Sequence, residues 1–172
     1  MKIYFRYIAL FTGVVYLWSF WGCGAYGFRP KNPPEGIHTI YVPAFENTSG
    51  FSEANIIDNF TFKLKDLITR DNTFTLTDEK KADGSVRCVI SGVKDDPLVI
   101  SGNETVTKRK ITVTVDVTFK DLKKDKVIWT KSLSNFGEYN SSNSGFSERD
   151  AGLQSAIDKI SNDILIELTS NW

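Results

Sequence analysis

The residues whose types and spacing could do chemistry in this chain are His38, Cys23, Cys88, the pair Asp95-Asp96 and the run Lys108-Arg109-Lys110. His38 is the only histidine. A nucleophile, its base and an orienting acid must be brought together, and no local motif beside His38 suggests such a triad. No His or Cys pair has metal-ligand spacing, so no metal site is expected. Two carboxylates can share acid–base work, but Asp95 and Asp96 are adjacent and precede Pro97, which reads as a turn. The glycines are scattered and form no phosphate-cradling loop. Cys88 lies in the apolar run Val86-Arg87-Cys88-Val89-Ile90 and reads as a small buried hydrophobe. Lys108-Arg109-Lys110 is the densest basic cluster after the N-terminal segment. It suits either a solvated strand end or an anion contact. No cofactor and no catalytic residue are expected.

Charge narrows the partners. The 172 residues carry 21 basic and 21 acidic side chains. Removing residues 1–22 takes away Lys2 and Arg6 and leaves 19 basic against 21 acidic. Nucleic-acid binding wants a clearly basic face, so that class is excluded. The N-terminus explains Cys23. Lys2 and Arg6 precede an almost wholly apolar stretch from Tyr7 to Trp21, short for a membrane span and suited to a signal peptide. Gly22-Cys23 then resembles the end of a bacterial lipobox, although Phe20 and Trp21 are larger than that pattern prefers. We therefore expect a lipoprotein signal peptide over 1–22 and a covalent lipid on Cys23, several acyl chains anchoring firmly where one is marginal. Gly24 follows the cysteine, with no aspartate there and no acidic cluster behind it. By analogy this places the protein on the periplasmic side of an outer membrane.

The elements that must position these residues follow in order. Residues 23–36 are dense in Gly and Pro and read as a tether. A single α+β domain is expected over 37–172. The sequence predicts a strand from Ile37 to Phe45, ended by Pro43, and a turn at Glu46 to Gly50. A helix is predicted over Ser52–Arg70, with Ile56, Phe60, Leu64, Leu67 and Ile68 on one face, Glu53 in its first turn and Arg70 in its last. Short strands are predicted at Phe74–Thr77 and Ser85–Val93. The clearest strand runs from Thr105 to Leu122: Ile111, Val113, Val115, Val117 and Phe119 alternate with Thr112, Thr114, Asp116 and Thr118. That pattern demands one covered and one polar face, with Lys108 and Lys110 on the polar side and Arg109 on the other. A return strand over Lys126–Tyr139 and a last helix follow, with Ser147 and Asp150 as a capping box and Leu153, Ile157, Ile160, Ile164 and Leu168 as its stripe. The order β-α-β-β-β-α predicts a two-layer sandwich, both helices on one face of a mixed four- to five-stranded sheet.

In that order the chain resembles the LptE family of outer-membrane lipoproteins, in a form like the Bacteroidetes members. The resemblance rests on Cys23-Gly24 with Tyr26 and Phe28, on Ile37-His38-Thr39-Ile40-Tyr41-Val42-Pro43 with Phe45-Glu46-Asn47, and on Leu67-Ile68-Thr69-Arg70. It continues through Lys110 to Phe119, Val127-Ile128-Trp129 and the helix from Ala156 to Trp172. It implies a non-catalytic protein that plugs and supports a large β-barrel of the LptD type, and that binds lipopolysaccharide. Barrel-contact candidates are then Thr112, Thr114, Asp116 and Thr118, because a barrel lumen is polar. Candidates for lipopolysaccharide phosphates are Lys108, Arg109 and Lys110. Ile-Tyr-Val-Pro-Ala-Phe-Glu-Asn also occurs in style in other envelope lipoproteins of α+β fold. A periplasmic lipoprotein that activates or scaffolds another envelope complex, such as the cell-wall synthases, is the competing expectation.

Overall fold

A computed structural model describes residues 33–53, 55–101, 105–140 and 146–170. The expected signal peptide, Cys23 and most of the tether lie outside the described residues, which belong to one compact unit, Lys31–Trp172.

The alternating segment forms the centre of the sheet. Strand β5 (Thr105–Asp121) pairs antiparallel with β4 (Gly84–Ser101) on one side and β6 (Lys126–Asn140) on the other. Ile111, Val113, Val115, Val117 and Phe119 are completely buried. Strands β1 (Thr39–Tyr41), β2 (Glu46–Asn47) and β3 (Thr75–Leu76) complete a mixed six-stranded sheet. Its order is β3-β1-β4-β5-β6, with β2 also paired to β4. Strand β1 runs parallel to both β3 and β4.

Helix α1 (Ile56–Asp71) buries Ile56, Phe60, Leu64 and Ile68, four residues at i, i+4 spacing. Asn55 and Asn72 flank it in the left-handed conformation, and the Asn72 N–H closes the end on the Ile68 carbonyl. Asp58 occupies the first turn, whereas Glu53 precedes the helix. Helix α2 (Phe146–Thr169) buries Leu153, Ala156, Ile157, Ile160, Ile164 and Leu168. Both stripes join the sheet's apolar face in one core, and Lys63 of α1 bridges Asp158 of α2 at 2.7 Å. Phe45 stacks on Phe60 in that core, while Phe119 meets Phe74 and Trp129 edge-on. Each fully buried large apolar side chain contributes about 1.5–3 kcal/mol.

The two-layer α+β arrangement agrees with expectation, but order and strand count do not. The observed order is β-β-α-β-β-β-β-α. Pro43 does not end sheet pairing: Glu46 and Asn47, expected in a turn, pair with Val89 and Ile90 of β4. The segment Lys94 to Pro97, expected as a turn or bulge, continues β4 in register with Thr112 to Arg109, and a register shift follows it between Pro97 and Val99. Ser147 lies inside α2 and so is not its cap residue.

A register shift between Ile90 and Gly92 places one extra residue, the exposed Ser91, in β4. Such a bulge reverses the parity of the strand beyond it. Val86, Cys88 and Ile90 face the core before it, and Val93 packs against the core after it. Asp95 is thereby turned toward the helical layer.

Ser161 on α2 is wholly buried, and its Oγ has no hydrogen-bond partner among the described residues. A buried unpaired hydroxyl costs free energy, and alanine is the better helix former. Ser161→Ala is expected to raise stability by about 1 kcal/mol, read as a higher urea midpoint at unchanged m-value. A lower midpoint would show that the hydroxyl is satisfied.

Candidate functional site

With both helices on one face, the other face of the sheet is left open by the described residues. Along β5 it presents Lys108, Lys110, Thr112, Thr114, Asp116 and Thr118. The last four stand opposite Phe136, Ser134, Ser132 and Thr130 of β6. Thr114 bonds Ser134 and Thr118 bonds Thr130, each at 3.3 Å. On β4, Gly92 stands opposite Thr114 and Val89 opposite Asp116. The centre of this face therefore carries short side chains. These lose little rotamer entropy when covered, which favours a flat docking surface over one fringed by long charged chains.

The basic run does not form one patch. Lys108 is exposed, and Lys110 lies over the Phe136 ring with 5.5 Å to its centroid. Arg109 falls on the helical face, where Asp95 and the Tyr139 hydroxyl receive its Nε–H at 2.8 and 3.0 Å. Tyr139 also donates to Asp95. Arg149 of α2 reaches Asp95 at 3.3 Å and Glu53 at 2.8 Å. Burial pushes the Asp95 carboxyl up, but the bonds from Arg109 and Tyr139, with the nearby guanidinium charges, outweigh it and hold it below its ordinary value. Burial, then the bond to Asp95, pushes the Tyr139 phenol up. This half-buried network fastens β4, β5 and β6 to the start of α2 and to the loop before α1. Arg109 is thus engaged within the fold, while Lys108 and Lys110 face outward.

His38 is exposed, and its backbone N–H donates to Asp83. Cys88 is buried, and burial pushes its thiol well above the ordinary range, which keeps it protonated. Asp95 and Asp96 do not act as a pair: Asp95 turns to the helices and Asp96 is exposed. No group of three or more His, Cys, Asp or Glu among the described residues could hold a metal ion. No described helix is long and apolar enough to cross a membrane.

Glu53, Tyr139 and Arg149 do not emerge from sequence reasoning. Arg149 had a usable signal, since it sits four residues before Leu153 on the buried stripe of α2, where a charge requires an internal partner. Phe136 and Lys159 were also missed. Phe136 alternates with Ser132, Ser134 and Glu138 on the open register, and a large ring there is out of pattern.

In fold, the chain resembles the hypothetical protein CT253 from Chlamydia trachomatis, with a TM-score of 0.58 at 12% identity over 76% of this chain and 95% of that one. Protein XCC0632 from Xanthomonas campestris gives 0.57 at 9% identity over 78% and 86%. The rare lipoprotein B from Shewanella oneidensis gives 0.51 at 11% identity over 74% and 92%. No curated protein matches the sequence. The family model for LptE, lipopolysaccharide-assembly, matches residues 37–168, from the residues leading into β1 almost to the end of α2. A match across nearly the whole α+β domain shows that this chain belongs to the LptE family of lipopolysaccharide assembly.

Proposed function

We propose that this protein is a non-catalytic subunit of the lipopolysaccharide assembly machinery. A lipid on Cys23 holds it at the periplasmic side of the outer membrane, and the open face of its sheet docks in an LptD-type β-barrel. The observation that carries the reading is the face itself: a flat field of Thr112, Thr114, Asp116 and Thr118 with Thr130, Ser132 and Ser134 beside it. A barrel lumen is polar, and short hydroxyls can pair with its wall at small entropic cost. Lys108 and Lys110 contact phosphates of the glycolipid, while Arg109 holds the strands that carry them. The protein binds and supports; no step of covalent chemistry is assigned to it.

Tagged protein purified from detergent-solubilised membranes should bring down an outer-membrane barrel. Replacing Thr114 and Thr118 together by Lys should abolish that association with the thermal midpoint within a few degrees of the parent. Purification without a barrel would sink the reading, and recovery of penicillin-binding proteins or peptidoglycan instead would favour a role in cell-wall synthesis. Glycolipid contact is tested with Lys108→Glu and Lys110→Glu. Arg109 is left unchanged, because its reversal would place a carboxylate against Asp95.

A further inference from the structure

A cleft of about 330 Å³ opens where the segment leading into β1 meets the β5–β6 hairpin. Its apolar walls are Pro34, Ile37 and Ile128; Ile37 is buried and Ile128 packs against the core. Its charged lining includes Glu35 before β1, and Lys124 and Lys126 on the hairpin. None of the barrel-contact candidates on β5 borders it. Glu35 is held there by a tight turn. The Ile37 N–H donates to the Pro34 carbonyl at 3.2 Å, and Gly36 takes φ +81°, the third position of a type II turn. Buried Ile37 fastens that turn to the domain.

The charges around the cleft are unevenly matched. On the hairpin, Lys120 pairs with Asp125 and Lys123 with Asp83. Asp121, which also lines the cleft, accepts the backbone N–H groups of Lys123 and Lys124 at 2.9 Å each, and Lys124 Nζ stands 3.6 Å from it. Lys126 and Glu35 have no ion-pair partner among the described residues, and they do not pair with each other. The cleft thus holds one uncommitted cation and one uncommitted anion, with the loosely held Lys124 beside them. A simple anion would meet the Glu35 carboxylate, and a simple cation would meet the lysines. A zwitterion satisfies both. Two ammonium groups against one free carboxylate favour a phosphate as its acidic part. No aromatic ring lines the cleft, so the cage that quaternary ammonium groups take is missing. A primary ammonium can instead donate hydrogen bonds to Glu35.

The geometry points to a binding site for a phosphoethanolamine group, with Lys124 and Lys126 holding the phosphate, Glu35 the ammonium, and the methylene link packing on Pro34, Ile37 and Ile128. That group has two sources, the headgroup of a membrane phospholipid and a soluble phosphodiester. Position favours the headgroup. Glu35 lies twelve residues beyond Cys23, so a chain drawn out fully keeps the cleft within about 40 Å of the anchor. This choice of source rests on the lipid proposed above for Cys23; the site itself does not. A bound headgroup turns the hairpin end of the domain toward the bilayer, an orientation that the anchor alone leaves undetermined.

The test uses the full mature protein in neutral detergent micelles, with glycerophosphoethanolamine, glycerophosphocholine and a short-chain phosphatidylethanolamine as probes. Titration with glycerophosphoethanolamine should move the amide signals of 35–37 and 124–128. The choline diester should bind roughly tenfold more weakly or worse. Glu35→Gln should erase that preference, and Lys126→Gln should weaken the ethanolamine diester by roughly three- to tenfold. Both side chains are exposed, so the thermal midpoints should stay within a few degrees of the parent. A lipid probe bound roughly tenfold tighter than the diester, and equally sensitive to Glu35→Gln, identifies the headgroup as the source; equal affinities identify the soluble phosphodiester. Unmoved cleft signals with both ethanolamine probes at their highest soluble concentration would overturn the site. So would equal binding of the two diesters by the parent protein, or parental affinity in the combined Glu35→Gln, Lys126→Gln variant. Recovery of the barrel and the intact mass of the mature N-terminus test the docking and anchor readings separately, and neither readout depends on Glu35 or Lys126.

Discussion

Gly137→Ala is expected to destabilise the protein by about 3 kcal/mol or more, because there is no space for a methyl group. A Cβ built on Gly137 would lie 1.8 Å from the Gly152 carbonyl oxygen, 2.8 Å from its carbon and 3.0 Å from Ser155 Cβ. The first two are backbone atoms of α2, so no side-chain rotation relieves the clash. The whole helix would have to move off β6, and with it Arg149, which holds Asp95 and Glu53. Gly152 completes the contact, since a Cβ there would press on Tyr139 at 3.2 Å. The drop should appear as a thermal midpoint lower by roughly 10 °C. Gly92→Ala is the matched control: its Cβ would meet only Thr114, at an ordinary 3.7 Å. That variant should stay within about 1 kcal/mol of the parent. Equal midpoints for the two variants would disprove the close approach.

The Gly137–Gly152 contact also shows where sequence reading stops. Nothing in Asn135-Phe136-Gly137-Glu138 distinguishes a glycine required by a neighbouring helix from one that loosens a strand. The long-period features were legible. Strict alternation over Ile111–Phe119 placed the core and the polar face, and the spacing of Phe60 and Leu64, or of Ile157 and Ile164, placed the helices. Pairing that depends on distant partners was not. Glu46 and Asn47 have turn-forming chemistry, yet β4 supplies a parallel edge for them. Asp95, Asp96 and Pro97 likewise read as a turn, but β5 holds them in register.

The candidate site was legible in the same measure. The polar face of β5 followed from parity alone, and so did the separation of Arg109 from Lys108 and Lys110. The partners of Arg109 were hidden by the bulge at Ser91: without it Asp95 would share a face with Ser91 and Val93 in the unshifted register, away from the core residues Val86, Cys88 and Ile90. A second register shift, between Phe119 and Lys120, leaves Ile128 out of step between Val127 and Trp129. It breaks the continuity from the buried Trp129 back to the start of β6. Both shifts are single-residue events that change which side chains meet without changing composition or period.

Asp83 is expected to give the other large effect, and one that depends on pH. It is buried at the junction of β1, β4 and the β5–β6 hairpin. Its carboxylate accepts the backbone N–H groups of His38 and Thr39 at 2.9 Å each and pairs with Lys123. Its own N–H reaches Thr39, and its carbonyl accepts from Leu122. The bond from Lys123, then those from His38 and Thr39, hold the carboxyl well below the usual carboxylate range. Asp83→Ala leaves the two N–H donors without their acceptor and should cost about 3 kcal/mol at neutral pH. Because the folded-state pKa is depressed, the ionised group's contribution is present above the unfolded carboxylate pKa of about 4 and is lost as pH falls below it toward the folded value. Asp83→Asn preserves the shape and an acceptor oxygen but cannot titrate. It should therefore be less stable than the parent at pH 7, and the gap should close progressively below about pH 4. Urea midpoints measured for both proteins between pH 7 and pH 2 decide the matter, and a gap that stays constant across that range would remove the charge of Asp83 from the account.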